Sequence, residues 1–150
     1  MSAVFKMNEF ATTRFLNEEY QCRGCSSFGT CDGTRMMCES NYVLIINLGR
    51  VKFNTSGKKI RTRVKLATIE DFGEFMTTEA KAKGSQYSLI GVVCHHGTQP
   101  NAGHYTSVVR CPDGQWRVFD DDHQPRLVNE RSALRTGGDN AKILFFPRFE

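Results

Sequence analysis

The sequence contains no apolar run long enough to span a membrane, and no charged segment followed by an apolar one opens it as a secretory signal would. It also contains no internal repeat, no low-complexity segment and no linker that would divide it. We therefore expect one domain, no membrane partner, and a cytoplasmic or nuclear location as the default.

A basic stripe interleaved with aromatic residues, the usual sign of a nucleic-acid binder, is also missing. The net charge of +4 comes from 20 basic and 16 acidic residues that are scattered along the chain. The nearest approach to a stripe is "GKKIRTRVK" (Gly57–Lys65), which we interpret as a solvated loop and strand edge. The sequence therefore predicts no nucleic-acid partner.

The 150 residues, of which 39% are hydrophobic, suffice for one domain with a real core. The run "NYVLIINL" from Asn41 predicts a buried strand. Further strands are predicted at "YSLIGVVCH", "HYTSVVR", "WRVFD" and "AKILFFPRF", and their short connections favour antiparallel neighbours. Residues 1–19 have roughly helical spacing and predict a short helix or irregular segment, and residues 69–83 predict a helix or ordered loop.

One predicted hairpin brings a histidine and an acid together. His104 lies some nine positions before the centre of the Pro112–Gly114 turn and Asp120 about seven after it, so the two come within a residue or two of facing each other. A carboxylate there would accept the proton of one ring nitrogen and leave the other free as a base, which makes two members of a nucleophilic triad. A plain surface pair is the alternative. Gly103, without a Cβ, permits close approach of another backbone.

The segments "YSLIGVVCHHG", "GHYTSVV" and "QWRVFDDD" resemble the histidine-box half of the ubiquitin-specific proteases, which are papain-like cysteine deubiquitinases. The positions that match the family pattern are Tyr87, Leu89, His95, Gly97, Gly103, His104, Tyr105, Trp116, Phe119, Asp120 and Asp121. The resemblance implies an α+β fold with an antiparallel sheet, called the palm, in a partial catalytic domain covering residues 1–150. Residues 20–50 would form a finger and strand segment, and residues 86–150 the palm with the histidine box.

The resemblance also implies roles for individual residues. His104 would be the general base, Asp120 would orient it, and Asp121 would support the site by hydrogen bonding. Gly103 and Tyr105 would border the channel for the C-terminal diglycine of ubiquitin, with the loop "GTQPNAG" as a mobile flap over it. Ubiquitin or a ubiquitinated protein is therefore the expected partner.

The nucleophile is the element that the sequence does not supply. The family places its cysteine in a Gly-x-x-Asn-x-Gly-x-Thr-Cys box, and no such box occurs in these 150 residues. We predict that Cys94 is a small buried hydrophobic residue and that Cys111 lies at the far end of the hairpin from His104. We expect a domain that needs a complementing cysteine-bearing half and is inactive alone. A non-catalytic ubiquitin-binding module and a zinc-stabilised interaction domain remain the alternatives.

Six cysteines without a signal segment favour free thiols or metal ligands over disulfides. Four of them, Cys22, Cys25, Cys31 and Cys38, follow the spacing C-x2-C-x5-C-x6-C. Four thiolates suit a tetrahedral zinc ion. In the family, zinc is held by two C-x-x-C pairs, of which Cys22 and Cys25 match the second. Structural zinc bound by this pair is one expectation, and reduced cysteines without metal are the other.

Overall fold

The computed structural model describes residues 12–15, 21, 24–26, 31–34, 36–51 and 58–149, which fall into two compact units. The strands are β1 Thr12–Phe15, β2 Cys31–Thr34, β3 Val43–Asn47, β4 Ile69–Asp71, β5 Gln86–Ser88, β6 Gly91–His96, β7 His104–Arg110, β8 Trp116–Phe119, β9 Arg126–Val128 and β10 Ala141–Pro147. The helices are α1 Thr78–Ala82 and α2 Glu130–Asn140, and Gly73–Phe75 form one 3-10 turn. Within the described residues, no helix is both long enough and apolar enough to cross a membrane.

The larger unit, within residues 41–71 and 86–149, contains a six-stranded antiparallel sheet in the order β3-β10-β6-β7-β8-β9. The β7–β8 hairpin is closed by a tight turn, in which the Gly114 N–H donates to the Cys111 carbonyl at 2.8 Å. This arrangement confirms the predicted α+β fold with an antiparallel sheet, and it fixes the register of β7, which begins at His104, and of β8, which ends one residue before Asp120.

Helix α2 covers one face of this sheet. It begins after Asn129, whose side chain caps the helix by accepting a hydrogen bond from the Ser132 N–H at 2.8 Å. Because side chains alternate between the two faces of a strand, Val92, Cys94 and Val108 share the covered face, and all three are fully or almost fully buried. The centre of the sheet is therefore buried on the face that α2 covers.

The prediction that the strand from Asn41 is buried is wrong. Strand β3 pairs with β10 on one side and forms an edge of the sheet, and Val43 and Ile45 remain 48% and 64% exposed. β-branched residues also suit a strand that is only half buried, so the strand was predictable from composition while its burial was not.

The single strand predicted over "YSLIGVVCH" is two strands. Strand β5 pairs with β4, and β6 joins the main sheet, with the change of partner at Leu89 and Ile90. The Leu89 N–H donates to the Thr68 carbonyl at 2.9 Å, and the Ile90 N–H donates to the Phe145 carbonyl at 3.0 Å. The segment is divided because its two halves pair with different strands, β4 and β10, and the local sequence does not show these distant partners.

The smaller unit lies within residues 12–40 and 72–85. Strands β1 and β2 pair antiparallel, so the predicted short helix or irregular segment is wrong for residues 12–15, and the rest of residues 1–19 lies outside the described residues. Residues 69–83, predicted as a helix or ordered loop, form β4, the 3-10 turn and α1 in succession. Helix α1 is capped by the Thr77 hydroxyl, which accepts from the Ala80 N–H at 3.3 Å.

Candidate active site

The β7–β8 hairpin brings His104 and Asp120 into contact. Pairing of Ser107 with Phe119, extended by one residue, sets Thr106 opposite Asp120, so His104 is two positions from facing the acid. An offset of two keeps both side chains on the same face of the sheet. The distance from His104 Nε2 to Asp120 Oδ1 is 2.5 Å, which confirms the predicted proximity.

A second carboxylate flanks the same ring because the chain turns directly after β8. The His123 N–H donates to the Asp120 carbonyl at 3.0 Å, and Asp121 takes the left-handed conformation with φ +47°, which aspartate tolerates better than most residues. Asp121 Oδ2 then lies 4.0 Å from His104 Nδ1. One ring nitrogen of His104 and one carboxylate oxygen each of Asp120 and Asp121 lie within 4.8 Å of one another.

Contact between His104 and Asp120 shifts the pKa values of both side chains. The hydrogen bond to Asp120 raises the pKa of His104, and the hydrogen bond from His104 lowers the pKa of Asp120. When Nε2 donates its proton to Asp120, the lone pair of the neutral ring is on Nδ1, the nitrogen that faces away from Asp120. The contact therefore holds the imidazole ring in one orientation, and both side chains stay about half exposed.

Gly103 lies where two backbones come too close for a side chain. A Cβ at this position would lie 1.9 Å from the His96 carbonyl oxygen and 2.5 Å from His95 Nε2. The close backbone approach predicted for Gly103 is thus confirmed, and the structure identifies the backbone as that of His96. The predicted role of Gly103 in binding substrate stays a prediction.

Tyr105 follows His104 and points to the opposite face of the sheet. Its ring lies 4.7 Å from the ring of His95, its partner across the β6–β7 pair, and the Tyr105 side chain is half exposed. His95 is buried, and burial followed by the charge of Lys59 lowers its pKa. Tyr105 therefore lies against His95 next to the loop 97–103, and its predicted contact with substrate stays a prediction.

Two residues near the site were not predicted. Lys59 Nζ donates to the His95 carbonyl at 2.6 Å and to the Gly97 carbonyl at 3.0 Å, so it ties down the end of β6 where the loop begins. His96 shares a 2.8 Å hydrogen bond with the Thr106 hydroxyl, and its ring lies 6.4 Å from that of His104. A lysine in a basic segment resembles any solvated lysine, so the sequence carried no signal for its role.

Cys94 is enclosed beneath α2. It is fully buried, its Sγ lies 4.0 Å from the carbonyl oxygens of Thr136 and Gly137, and burial raises its pKa to about 11. A nucleophilic cysteine needs access and a lowered pKa, and Cys94 has neither. The prediction that it is a buried hydrophobic residue is confirmed, and Cys111 lies beyond the last residue of β7, at the end opposite His104.

Alkylation provides a test of this assignment. We expect iodoacetamide at neutral pH to modify Cys38, which is exposed, and to leave Cys94 unmodified until the chain is unfolded, because a buried thiol with a raised pKa carries almost no accessible thiolate. Mass spectrometry of peptides from native and denatured samples measures both rates. Modification of Cys94 in the native chain as fast as Cys38 would show that the thiol is accessible.

The expected zinc ligands fall mostly outside the described side chains. Cys22 lies outside the described residues, and of Cys31 only the backbone pairing with Phe15 is described. Cys25 and Cys38 are exposed. Zinc binding by Cys22 and Cys25 therefore stays a prediction.

The fold and the site together define an α+β domain with a histidine–aspartate pair at one end of an antiparallel sheet. The family model "Ubiquitin carboxyl-terminal hydrolase" matches residues 6–146, so the chain belongs to this family, and the resemblance to ubiquitin-specific proteases is confirmed.

The relatives agree with this assignment, and a solved structure matches the fold. The chain is 28% identical over 130 residues to ubiquitin carboxyl-terminal hydrolase 10 of Saccharomyces cerevisiae, covering 86% of this chain and 16% of the relative. It is 27% identical over 132 residues to ubiquitin carboxyl-terminal hydrolase 25 of Arabidopsis thaliana, covering 88% of this chain and 19% of the relative. The fold matches the SAGA Ubp8/Sgf11/Sus1/Sgf73 DUB module bound to ubiquitin aldehyde with a TM-score of 0.71 at 23% identity, covering 95% of this chain and 32% of the matched one. The chain thus spans less than a fifth of the length of these two relatives.

Proposed function

We propose that this chain is the histidine- and aspartate-bearing part of a ubiquitin-specific protease domain. Completed by a cysteine-bearing part, it hydrolyses isopeptide or peptide bonds at the C-terminus of ubiquitin. The observation that carries the proposal is the 2.5 Å contact between His104 Nε2 and Asp120 Oδ1, which leaves Nδ1 as the base. Ubiquitin as the partner is supported by the DUB module of similar fold, which binds ubiquitin aldehyde.

In the proposed reaction, His104 Nδ1 takes the proton of the cysteine thiol as the sulfur attacks the carbonyl carbon of the ubiquitin C-terminus. The imidazolium then gives that proton to the leaving amine, so an acyl-enzyme and a free lysine or N-terminal amine result. Water deprotonated by the same nitrogen attacks the thioester, and the released thiolate takes a proton back. Asp120 stays ionised throughout, holding the tautomer and stabilising the imidazolium.

The remaining roles belong to the same proposal. Asp121, whose Oδ2 lies 4.0 Å from His104 Nδ1, supports the site by hydrogen bonding, and Gly103 and Tyr105 border the channel for the ubiquitin tail. We also propose structural zinc on the segment with Cys22 and Cys25, and a cytoplasmic or nuclear location. The roles of these residues follow from the family pattern, and mutation of each residue tests them separately.

The test compares the chain alone with the chain joined to a segment that carries the family's cysteine box. We expect the chain alone to leave a ubiquitin–fluorophore conjugate intact, since Cys94 is buried, and the completed protein to cleave it. Titration of labelled ubiquitin in the same samples measures binding. Binding without cleavage by the completed protein would favour a ubiquitin-binding module, and cleavage by the chain alone would contradict the need for a second part.

A further inference from the structure

A cationic cavity lies beside the loop that follows β6, separate from the His104–Asp120 contact. It has a volume of about 500 Å³. Its lining comprises Arg50, Lys59, Ile60, Arg61, His96, Gly97, Thr98, Asp139 and Asn140. Nothing in the proposed protease reaction uses its basic residues.

The charges around the cavity are not balanced. Arg50, Lys59 and Arg61 contribute three cations against the single carboxylate of Asp139, and that carboxylate is already paired with Arg63 outside the cavity. Burial, and after it the charges of neighbouring cations including Arg50 and Arg61, lower the pKa of Lys59. Like charges held together in a concave site favour an anion that would neutralise them.

Two of the cations form the wall of the cavity. The buried guanidinium of Arg50 donates to the carbonyls of Ala141, Ile60, Thr62 and Gly138, and Lys59 Nζ donates to two carbonyls at the end of β6. Four of the five N–H donors of Arg50 and two of the three of Lys59 are occupied by these carbonyls, so the two side chains supply a fixed positive field. They also resist collapse of the cavity, because their positions are set by the backbone.

The remaining polar groups can contact a ligand directly. Arg61 and Thr98 are exposed, and neither side chain hydrogen-bonds another described residue; Asn140 also lines the cavity. A guanidinium with a hydroxyl and an amide offers several donors to one anion, and a guanidinium matches two oxygens of phosphate at once. A phosphate group carries close to two negative charges at neutral pH, which suits several cations better than a single carboxylate does.

We infer that this cavity binds a phosphate group, with Arg61, Thr98 and Asn140 as the contacting residues and Arg50 and Lys59 as the fixed field. The inference goes beyond the proposed protease function and does not depend on it. The source of the phosphate is either the free ion or a phosphorylated side chain of a polypeptide, and the same chemistry recognises both. Lys59 also donates to the carbonyl of Gly97, the residue that begins the loop 97–103. An anion bound in the cavity would therefore contact the base of that loop.

The experiment titrates the 150-residue chain with inorganic phosphate at neutral pH and constant ionic strength, monitored by ¹H–¹⁵N NMR. We expect the amides of Gly97 and Thr98 to shift with a Kd on the order of 1 mM, and sulfate to produce the same shifts because it has the same shape and charge. Sodium chloride at equal ionic strength is expected to produce none. Phosphoserine titrated in parallel distinguishes the two sources: tighter binding than inorganic phosphate indicates a phosphorylated polypeptide, and weaker binding the free ion.

The variant Arg61→Gln is expected to weaken phosphate binding about tenfold, as loss of one charge-assisted pair does. Arg61→Lys should restore part of the loss because it keeps the charge. The matched control is Arg131→Gln, which removes the same charge from an exposed position on α2 and should leave the Kd unchanged. Equal affinity of the wild type and Arg61→Gln, or phosphate shifts that sodium chloride reproduces, would overturn the inference.

Discussion

Replacing His104 by glutamine is expected to reduce hydrolysis of a ubiquitin–fluorophore conjugate by the completed protein about a thousandfold in kcat/KM. Glutamine fills similar space and can still donate to Asp120, but it has no nitrogen that takes a proton at neutral pH. General base catalysis by a positioned side chain contributes about 10²–10⁴-fold, and here the same base serves both acylation and deacylation. Steady-state kinetics at pH 7.5 measures the loss.

A graded series separates the base from the residue that orients it. Asp120→Asn keeps a side-chain oxygen that can accept from Nε2 but no longer stabilises the imidazolium, and its loss should be smaller than that of His104→Gln, because removing the acid of a triad costs less than removing its histidine. His123→Gln is the matched control, since His123 contacts the Asp120 carbonyl and not its carboxylate. We expect the control to stay within about twofold of the wild type. If His104→Gln keeps more than a tenth of the wild-type activity, His104 is not the base.

Gly103→Ala is expected to lower the free energy of unfolding by about 3 kcal/mol. The added Cβ would lie 1.9 Å from the His96 carbonyl oxygen, a backbone atom that cannot move without displacing the end of β6. For a chain of this size the change lowers Tm by about 10 °C. Denaturant unfolding followed by circular dichroism measures the free energy, and thermal unfolding gives the Tm.

Two other glycines separate this close approach from the general effect of adding a methyl group. At Gly91 a Cβ would make an ordinary contact, 3.6 Å from Phe145 Cδ2, so Gly91→Ala should change stability little. At Gly114 nothing lies within 4 Å, but φ is +78°, so Gly114→Ala should cost about 1–2 kcal/mol from the left-handed backbone alone. A Gly103→Ala chain that melts within 2 °C of the wild type would show that β6 and the loop are not in contact as described.

The histidine–aspartate pair was predictable because every interaction that forms it is local. The turn after Cys111 sets the register of β7 and β8, and the alternation of side chains then decides which residues share a face. Family resemblance added roles to these residues, whereas their proximity already followed from counting positions from the turn.

Features that depend on distant partners were not predictable. Helix α2 carries Gly137 and Gly138, which disfavour a helix in isolation, yet a Cβ on Gly138 would lie 2.3 Å from the Val64 carbonyl oxygen. The close approach of the Val64 carbonyl therefore explains why position 138 is glycine, although glycine lowers helix propensity. The hydrogen bonds from Lys59 to carbonyls 36 and 38 residues away likewise have no local signature.

The tautomer and pKa of His104 test the account most directly, because the whole mechanism depends on which nitrogen is free. Long-range ¹H–¹⁵N NMR of the imidazole, recorded across a pH titration of the 150-residue chain, measures both. We predict a neutral form protonated on Nε2, and a pKa above the ordinary value of about 6.5 that falls when Asp120 is replaced by asparagine. A neutral form protonated on Nδ1, or a pKa that Asp120→Asn leaves unchanged, would contradict the account.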